Sequence, residues 1–174
     1  MVSPTTSRPA AEARIWEELA RIPDPEIPAI SVVDLGVIGS VEVERRRVRV
    51  ELLPTFVGCP AIGVMQEQIG ERLRAEGLAD DVEVAITFDP PWTSDRISPA
   101  GRERLRLSGF APPTPVPAGP ALGQLDELAV LPIAVCPYCG SRNTTMDNPF
   151  GPTLCRAIYH CAECRQPFEQ FKRV

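Results

Sequence analysis

One histidine, His160, serves the whole chain of 174 residues. That scarcity removes most histidine chemistry. No Glu-x-x-His pair marks a di-iron protein. No histidine before residue 160 is available as the base of a nucleophile in the first three-quarters of the chain. Long apolar runs are missing too: none approaches the roughly 20 residues of a membrane-spanning helix. The opening MVSPTTSRPAAEARIWEELARI lacks a secretory apolar segment, so we expect a cytoplasmic protein with no membrane partner. Basic residues are outnumbered, 18 against 23 acidic, for a net charge of −5. That argues against a nucleic-acid partner, whose footprint is usually basic. No flavin or nucleotide motif is present.

What the chain does have is cysteine and proline, six and 20. Cysteine in a chain without an export signal points to metal or thiol chemistry rather than a disulfide scaffold. Hydrophobic residues at 44% are enough for a core. The length suits one ordinary domain plus a small extra one.

Residues 1–9 read as disordered. A helix then carries Ile15, Leu19 and Ile22 on one face and stops before Pro23. "IPDPEIPAISVVDLG" holds prolines at 23, 25 and 28, which block helix and central strand and leave a loop. VEV and VRVELL alternate around ERRR as a β-hairpin. A second helix follows Cys59 with Ile62, Met65, Ile69 and Leu73 on one stripe, and VEVAITF (82–88) reads as a third strand. Ser98-Pro99 is an N-cap and first-turn pair for a short helix. Residues 10–110 thus read as an α/β (α+β) domain, a small mixed sheet with about three helices. Residues 111–132 are proline-rich, with five prolines in the first ten positions, and suit an extended linker. Residues 133–174 form a third part with five basic and three acidic residues.

That third part contains "CPYCG" and "CAEC". Cys136, Cys139, Cys161 and Cys164 form two Cys-x2-Cys pairs separated by 21 residues. Four thiolates in two such pairs match tetrahedral zinc, and a segment this short gains from a metal staple. Iron suits the same donor set; zinc is the expected ion, in a small four-Cys zinc ribbon. Cys155 lies six residues before Cys161, on one face if the stretch is a strand. It reads as a buried thiol beneath the site, or as an extra ligand or redox thiol. His160 reads as a surface residue.

"TFVGCPA" sets Cys59 between a strand and a helix. As the helix N-cap, with Pro60 at the first helical position, its sulfur would face the first-turn N–H groups, which favour a thiolate. A buried structural cysteine is the competing reading. Gly58 permits close approach and Thr55 offers a hydroxyl. Asp24, Glu26, Asp34, Asp89 and Asp95 read first as turn and cap residues, and otherwise as a polar rim around Cys59 if the loops converge. Trp92 reads equally as a core anchor or a partner contact.

"IPDPEIPAISVVDLGVI", "TFVGCPA" and "DPPWTSDRISPAGRERL" together resemble the SufT-like iron–sulfur assembly domain. With the C-terminal "CPYCGSRNTT…FGPTLCRAIYHCAECRQPFEQFK", nearly the whole chain, from about residue 12 to 173, looks like the PaaD-type subunit family of phenylacetyl-CoA 1,2-epoxidase. The resemblance implies an accessory subunit in aerobic phenylacetate breakdown. Its partners would be the other epoxidase subunits or their reductase. Its role would be to mature or supply a metal centre, not to epoxidise. It maps the family's functional cysteine onto Cys59 and its acids onto Asp24 and Glu26, and it keeps Cys155 as a candidate extra thiol. A structural zinc and a transient iron–sulfur cluster or iron are the implied cofactors. The other reading is a structural adaptor that bridges oxygenase subunits.

Overall fold

The computed structural model describes residues 8–113 and 133–173. These residues form two units, divided between Gly101 and Arg102.

In the first unit, α1 (Arg8–Leu19) leads through a long loop to β1 (Ile38–Glu44) and β2 (Arg47–Leu52). Then come α2 (Ile62–Ala75), β3 (Asp81–Ile86) and the start of α3 (Pro99–Leu107). The sheet order is β1-β2-β3, with β2 antiparallel to β1 and parallel to β3. This is the expected mixed sheet with three helices. The hairpin closes over Arg45 and Arg46, with Arg45 in the left-handed region at φ 56°. Val48, Val50 and Leu52 are fully buried on one face of the central strand, as alternation requires. Ile15 and Leu19 bury the stripe of α1, while Ile22, expected on the same helix, is buried from the turn that follows its end at Leu19; Met65, Ile69 and Leu73 bury the stripe of α2. Helix α1 begins at Arg8, inside the stretch expected to be disordered; residues 1–7 lie outside the described residues. The Ser98 hydroxyl accepts from the Gly101 N–H at 2.9 Å, so the expected cap of α3 is present.

In the second unit, β4 (Phe110–Ala111), β5 (Thr144–Asn148), β6 (Arg156–Cys161) and β7 (Pro167–Phe171) make a sheet of order β4-β7-β6-β5. Phe110 and Ala111 therefore pair within the second sheet, although the sequence places 110 at the end of the first domain and 111 in the linker. The rest of that linker, residues 114–132, lies outside the described residues. The core here is small: Ala111, Ala134, Ala157, Tyr159, Phe168 and two of the cysteines, with Tyr159 and Phe168 stacked at 5.7 Å. A core of this size is a reason for a metal staple.

No described helix is long and apolar enough to cross a membrane.

Candidate functional site

The register of the first sheet gathers three loops at one end. Leu52, the last residue of β2, is the Cα partner of Ile38 at the start of β1 and of Ile86 at the end of β3. The loop before β1, the Cys59 loop and the loop after β3 therefore leave the sheet at the same edge. Hydrogen bonds tie them together. The Leu53 N–H donates to the Val37 carbonyl at 2.8 Å, and the Trp92 indole N–H donates to the Leu35 carbonyl at 3.1 Å. The Arg96 guanidinium donates to the Gly36 and Ile38 carbonyls at 2.9 and 3.1 Å. Trp92 is only 3% exposed, so of its two readings the structure selects the anchor. A Cβ on Gly36, which sits at φ 75°, would come within 2.5 Å of the Arg96 carbonyl oxygen, so close approach fixes glycine there.

Asp24 is buried, and its Oδ1 accepts from the Glu26 and Ile27 N–H groups at 2.9 and 2.8 Å. This is an Asx-type turn that orders the proline-rich loop. Glu26 itself is exposed. Asp34 accepts from the Ser98 and Ser31 hydroxyls at 2.6 and 3.1 Å and joins the loop before β1 to the start of α3. Thr55 is buried on the Cys59 loop.

Cys59 is half-buried, and it is not the helix N-cap. Ala61 occupies that place, with helical φ and ψ of −72° and −15° and no side-chain cap bond. The chain makes a separate turn first: the Ile62 N–H closes on the Cys59 carbonyl at 3.4 Å, and helical bonds begin only with Met65 to Ala61 at 2.9 Å. The helix-terminus argument for a thiolate at Cys59 therefore does not carry over. What remains is a cysteine on a turn after Gly58, where the backbone is left-handed at φ 83°.

The second site is complete. The sulfurs of Cys136, Cys139, Cys161 and Cys164 all lie within 4.8 Å of one another, with 136 to 164 and 139 to 161 both at 3.6 Å. A tetrahedron with Zn–S bonds of ~2.3 Å has sulfurs ~3.8 Å apart, so the set fits zinc. Each pair sits on a tight turn. The Gly140 N–H donates to the Cys136 carbonyl and the Arg165 N–H to the Cys161 carbonyl, both at 2.9 Å. The Cys164 backbone N–H lowers the Cys161 thiol to about 7, whereas burial pushes Cys164 up to about 12.

Cys155 is not beneath this site. It is half-buried in the turn before β6, while Cys161 is the last residue of that strand. Six residues of strand, ~20 Å, separate them. Its sulfur lies 3.1 Å from the Thr153 hydroxyl, which also accepts from Arg156 Nε at 2.8 Å. The reading of Cys155 as a buried thiol under the metal, or as a further ligand to it, is thus corrected; strand spacing fixed its face but not its distance. His160 is half-buried and outside the cluster. Two residues that sequence reasoning did not single out carry the architecture of the first site, Arg96 and Gln66. Gln66 Nε2 donates to the Val84 carbonyl at 2.8 Å. Partners so remote in sequence leave no local pattern.

The fold and sites define an iron–sulfur assembly domain joined to a zinc ribbon. Residues 12–87 match the iron–sulfur cluster assembly protein family, and residues 125–172 match the PaaD zinc beta ribbon domain. The ribbon match begins at 125, ahead of the expected 133. A relative from Escherichia coli (strain K12), named as a 1,2-phenylacetyl-CoA epoxidase component, is 37% identical over 97% of both chains. The chain belongs to the PaaD family of phenylacetyl-CoA epoxidase components, and its four-cysteine cluster is the zinc site of the ribbon. The first unit alone is also similar to the Fe-S protein maturation auxiliary factor SufT of Staphylococcus aureus (strain USA300), 34% identical over 49% of this chain and 97% of that one. A solved DUF59 domain of unknown function from Bacillus anthracis shares its fold, with TM-score 0.54 and 25% identity over 57% of this chain and 94% of that one.

Proposed function

We propose that this chain is a non-catalytic accessory subunit of a phenylacetyl-CoA epoxidase system that matures or delivers an iron or iron–sulfur centre. The observation that carries it is the union, in one chain, of an iron–sulfur assembly domain and the ribbon of the PaaD family. Cys59 holds the iron or cluster transiently, as a soft thiolate ligand does. Its half-buried place on a turn where three loops meet supports this role, since cargo must both bind and leave. Thr55, Asp24 and Glu26 form the polar rim, Asp24 by ordering its loop and Glu26 at the surface. The zinc is structural, because its four cysteine ligands leave no open position for substrate. The clients are the other epoxidase subunits or their reductase, in the cytoplasm.

The test is anaerobic purification with iron and sulfide analysis of wild type and Cys59→Ser, paired with growth on phenylacetate. Loss of bound iron and of growth in a normally folded Cys59→Ser protein is the expected result. Unchanged growth would replace the carrier by a structural adaptor. Epoxidation by the purified chain with only a reductant would overturn the accessory role itself.

A further inference from the structure

Among the described residues of the first unit, the exposed large hydrophobics are Val57 at 80%, Phe88 at 50%, Val64 at 43% and Ile86 at 42%. All four belong to the end of the sheet where Cys59 lies. Val57 is on its loop, and Val64 is in the first turn of the helix that follows. Ile86 closes β3 and Phe88 is two residues beyond. The Gln66 bond to Val84 holds the start of α2 against β3, and Val64, two residues from Gln66, lies on another face of that helix.

The pattern along β3 shows why the patch exists. Val82, Val84 and Ile86 are register partners of Val48, Val50 and Leu52, which are fully buried, so they continue the row that faces the core. Val82 and Val84 are half-buried and Ile86 is exposed. The cover over the core-facing row fades toward the Cys59 end, and apolar surface that would complete the core is left open.

The backbone there is open as well. β3 is an edge strand. The Thr87 N–H points inward, to the Leu52 carbonyl at 3.0 Å, so by alternation Val84 and Ile86 present their backbone groups outward. Gln66 occupies the Val84 carbonyl, and the edge beyond it faces away from the sheet. A Cβ on Gly58 or Gly63 would meet nothing within 4 Å, so the flanking loop and helix start leave room.

Charge narrows the occupant. The three stretches that build this end, residues 24–37, 53–68 and 84–95, contain no lysine or arginine and expose Glu26, Glu67, Asp89 and Asp95, while Asp24 and Asp34 are engaged within the loops. The neighbouring Arg96 binds the Gly36 and Ile38 carbonyls.

We infer that this end of the sheet is the docking surface for an extended segment of the client protein, with apolar residues at alternate positions interspersed with lysine or arginine. The segment adds to the β3 edge at Ile86, with the exposed Phe88 ring beside it. Main-chain pairing supplies affinity and alternate side chains supply choice, while the acidic surround selects a basic partner. The docked segment lies beside Cys59. The inference deepens the maturation reading and rests on it for the identity of the client.

The test uses the full zinc-loaded chain and each purified oxygenase and reductase component of the same system. Phe88→p-benzoylphenylalanine should photo-cross-link to one of them, at a segment of the stated pattern. Phe88→Asp and Val57→Asp, both at exposed positions and checked for unchanged melting, should each weaken binding of that component by about tenfold or more. Raising the salt concentration should weaken wild-type binding. Cys59→Ser should bind as wild type does, which separates docking from cargo. Full binding by both aspartate variants, or a cross-link to a second copy of this chain, to an acidic segment or to nothing, overturns the docking surface. Intact growth with Cys59→Ser and intact docking would instead remove only the carrier role.

Discussion

Gly140 and Arg165 hold equivalent places in the two halves of the zinc site. Each follows the second cysteine of its pair, each donates its N–H to the carbonyl of the first, and each is left-handed, at φ 75° and 59°. The turn therefore demands one conformation twice, and the sequence meets it once with glycine and once with a residue that has a Cβ. A left-handed backbone costs an ordinary residue roughly 1 kcal/mol.

Arg165→Gly should accordingly be neutral or stabilise the ribbon by up to about 1 kcal/mol, with Gly140→Val destabilising it by about 1–2 kcal/mol. Thermal melting of the zinc-loaded protein measures both. Equal losses from the two changes would show that the turns are not alike.

Metal removal should unfold the second unit and spare the first. The ribbon's core includes Cys136 and Cys161 themselves, so the ligands are part of the packing that the ion holds. Hydrogen exchange after chelation should show protection lost over residues 133–173 and kept over β1, β2 and α2. Elemental analysis that finds no zinc in the intact protein would contradict the site.

Zinc affinity should rise with pH. Bound ligands are thiolates, and the metal-free Cys164 thiol, at about 12, keeps its proton throughout the neutral range. Binding must therefore expel that proton at every pH tested. The Cys139 thiol is raised as well, and Cys161, lowered to about 7, adds a further expelled proton only in more acidic solution. Chelator competition at pH 6, 7 and 8 should show affinity falling on acidification, more steeply below 7 than above. A pH-independent affinity would contradict these shifts.

Trp92→Phe should cost about 1–3 kcal/mol. It keeps most of the buried ring area but leaves the Leu35 carbonyl without its indole donor. Because that bond pins the loop after β3 to the loop before β1, the iron retention proposed for Cys59 should weaken along with stability. Denaturant titration and iron analysis measure the two. A stable variant with normal iron content would show that the pin is dispensable.

The zinc site was legible in full, since two Cys-x2-Cys pairs are local patterns and a tetrahedral ion leaves few ways to join them. The strands and helices followed from period-two and period-3.6 burial, and the α3 cap from Ser98 and Pro99, because each signal lies within a few residues of what it specifies. Tertiary structure decided the rest. Trp92 became an anchor through a carbonyl 57 positions away. Cys155 left the metal because strand periodicity gives the face of a residue and not how far along the strand it sits. Cys59 lost its helix cap to a turn closed by Ile62, a competition that composition does not resolve. The apolar patch around it is set by where the cover over the sheet runs out. The sequence determined which chemistry the chain carries; packing determined which of those groups meet, because their partners come from segments that only folding brings together.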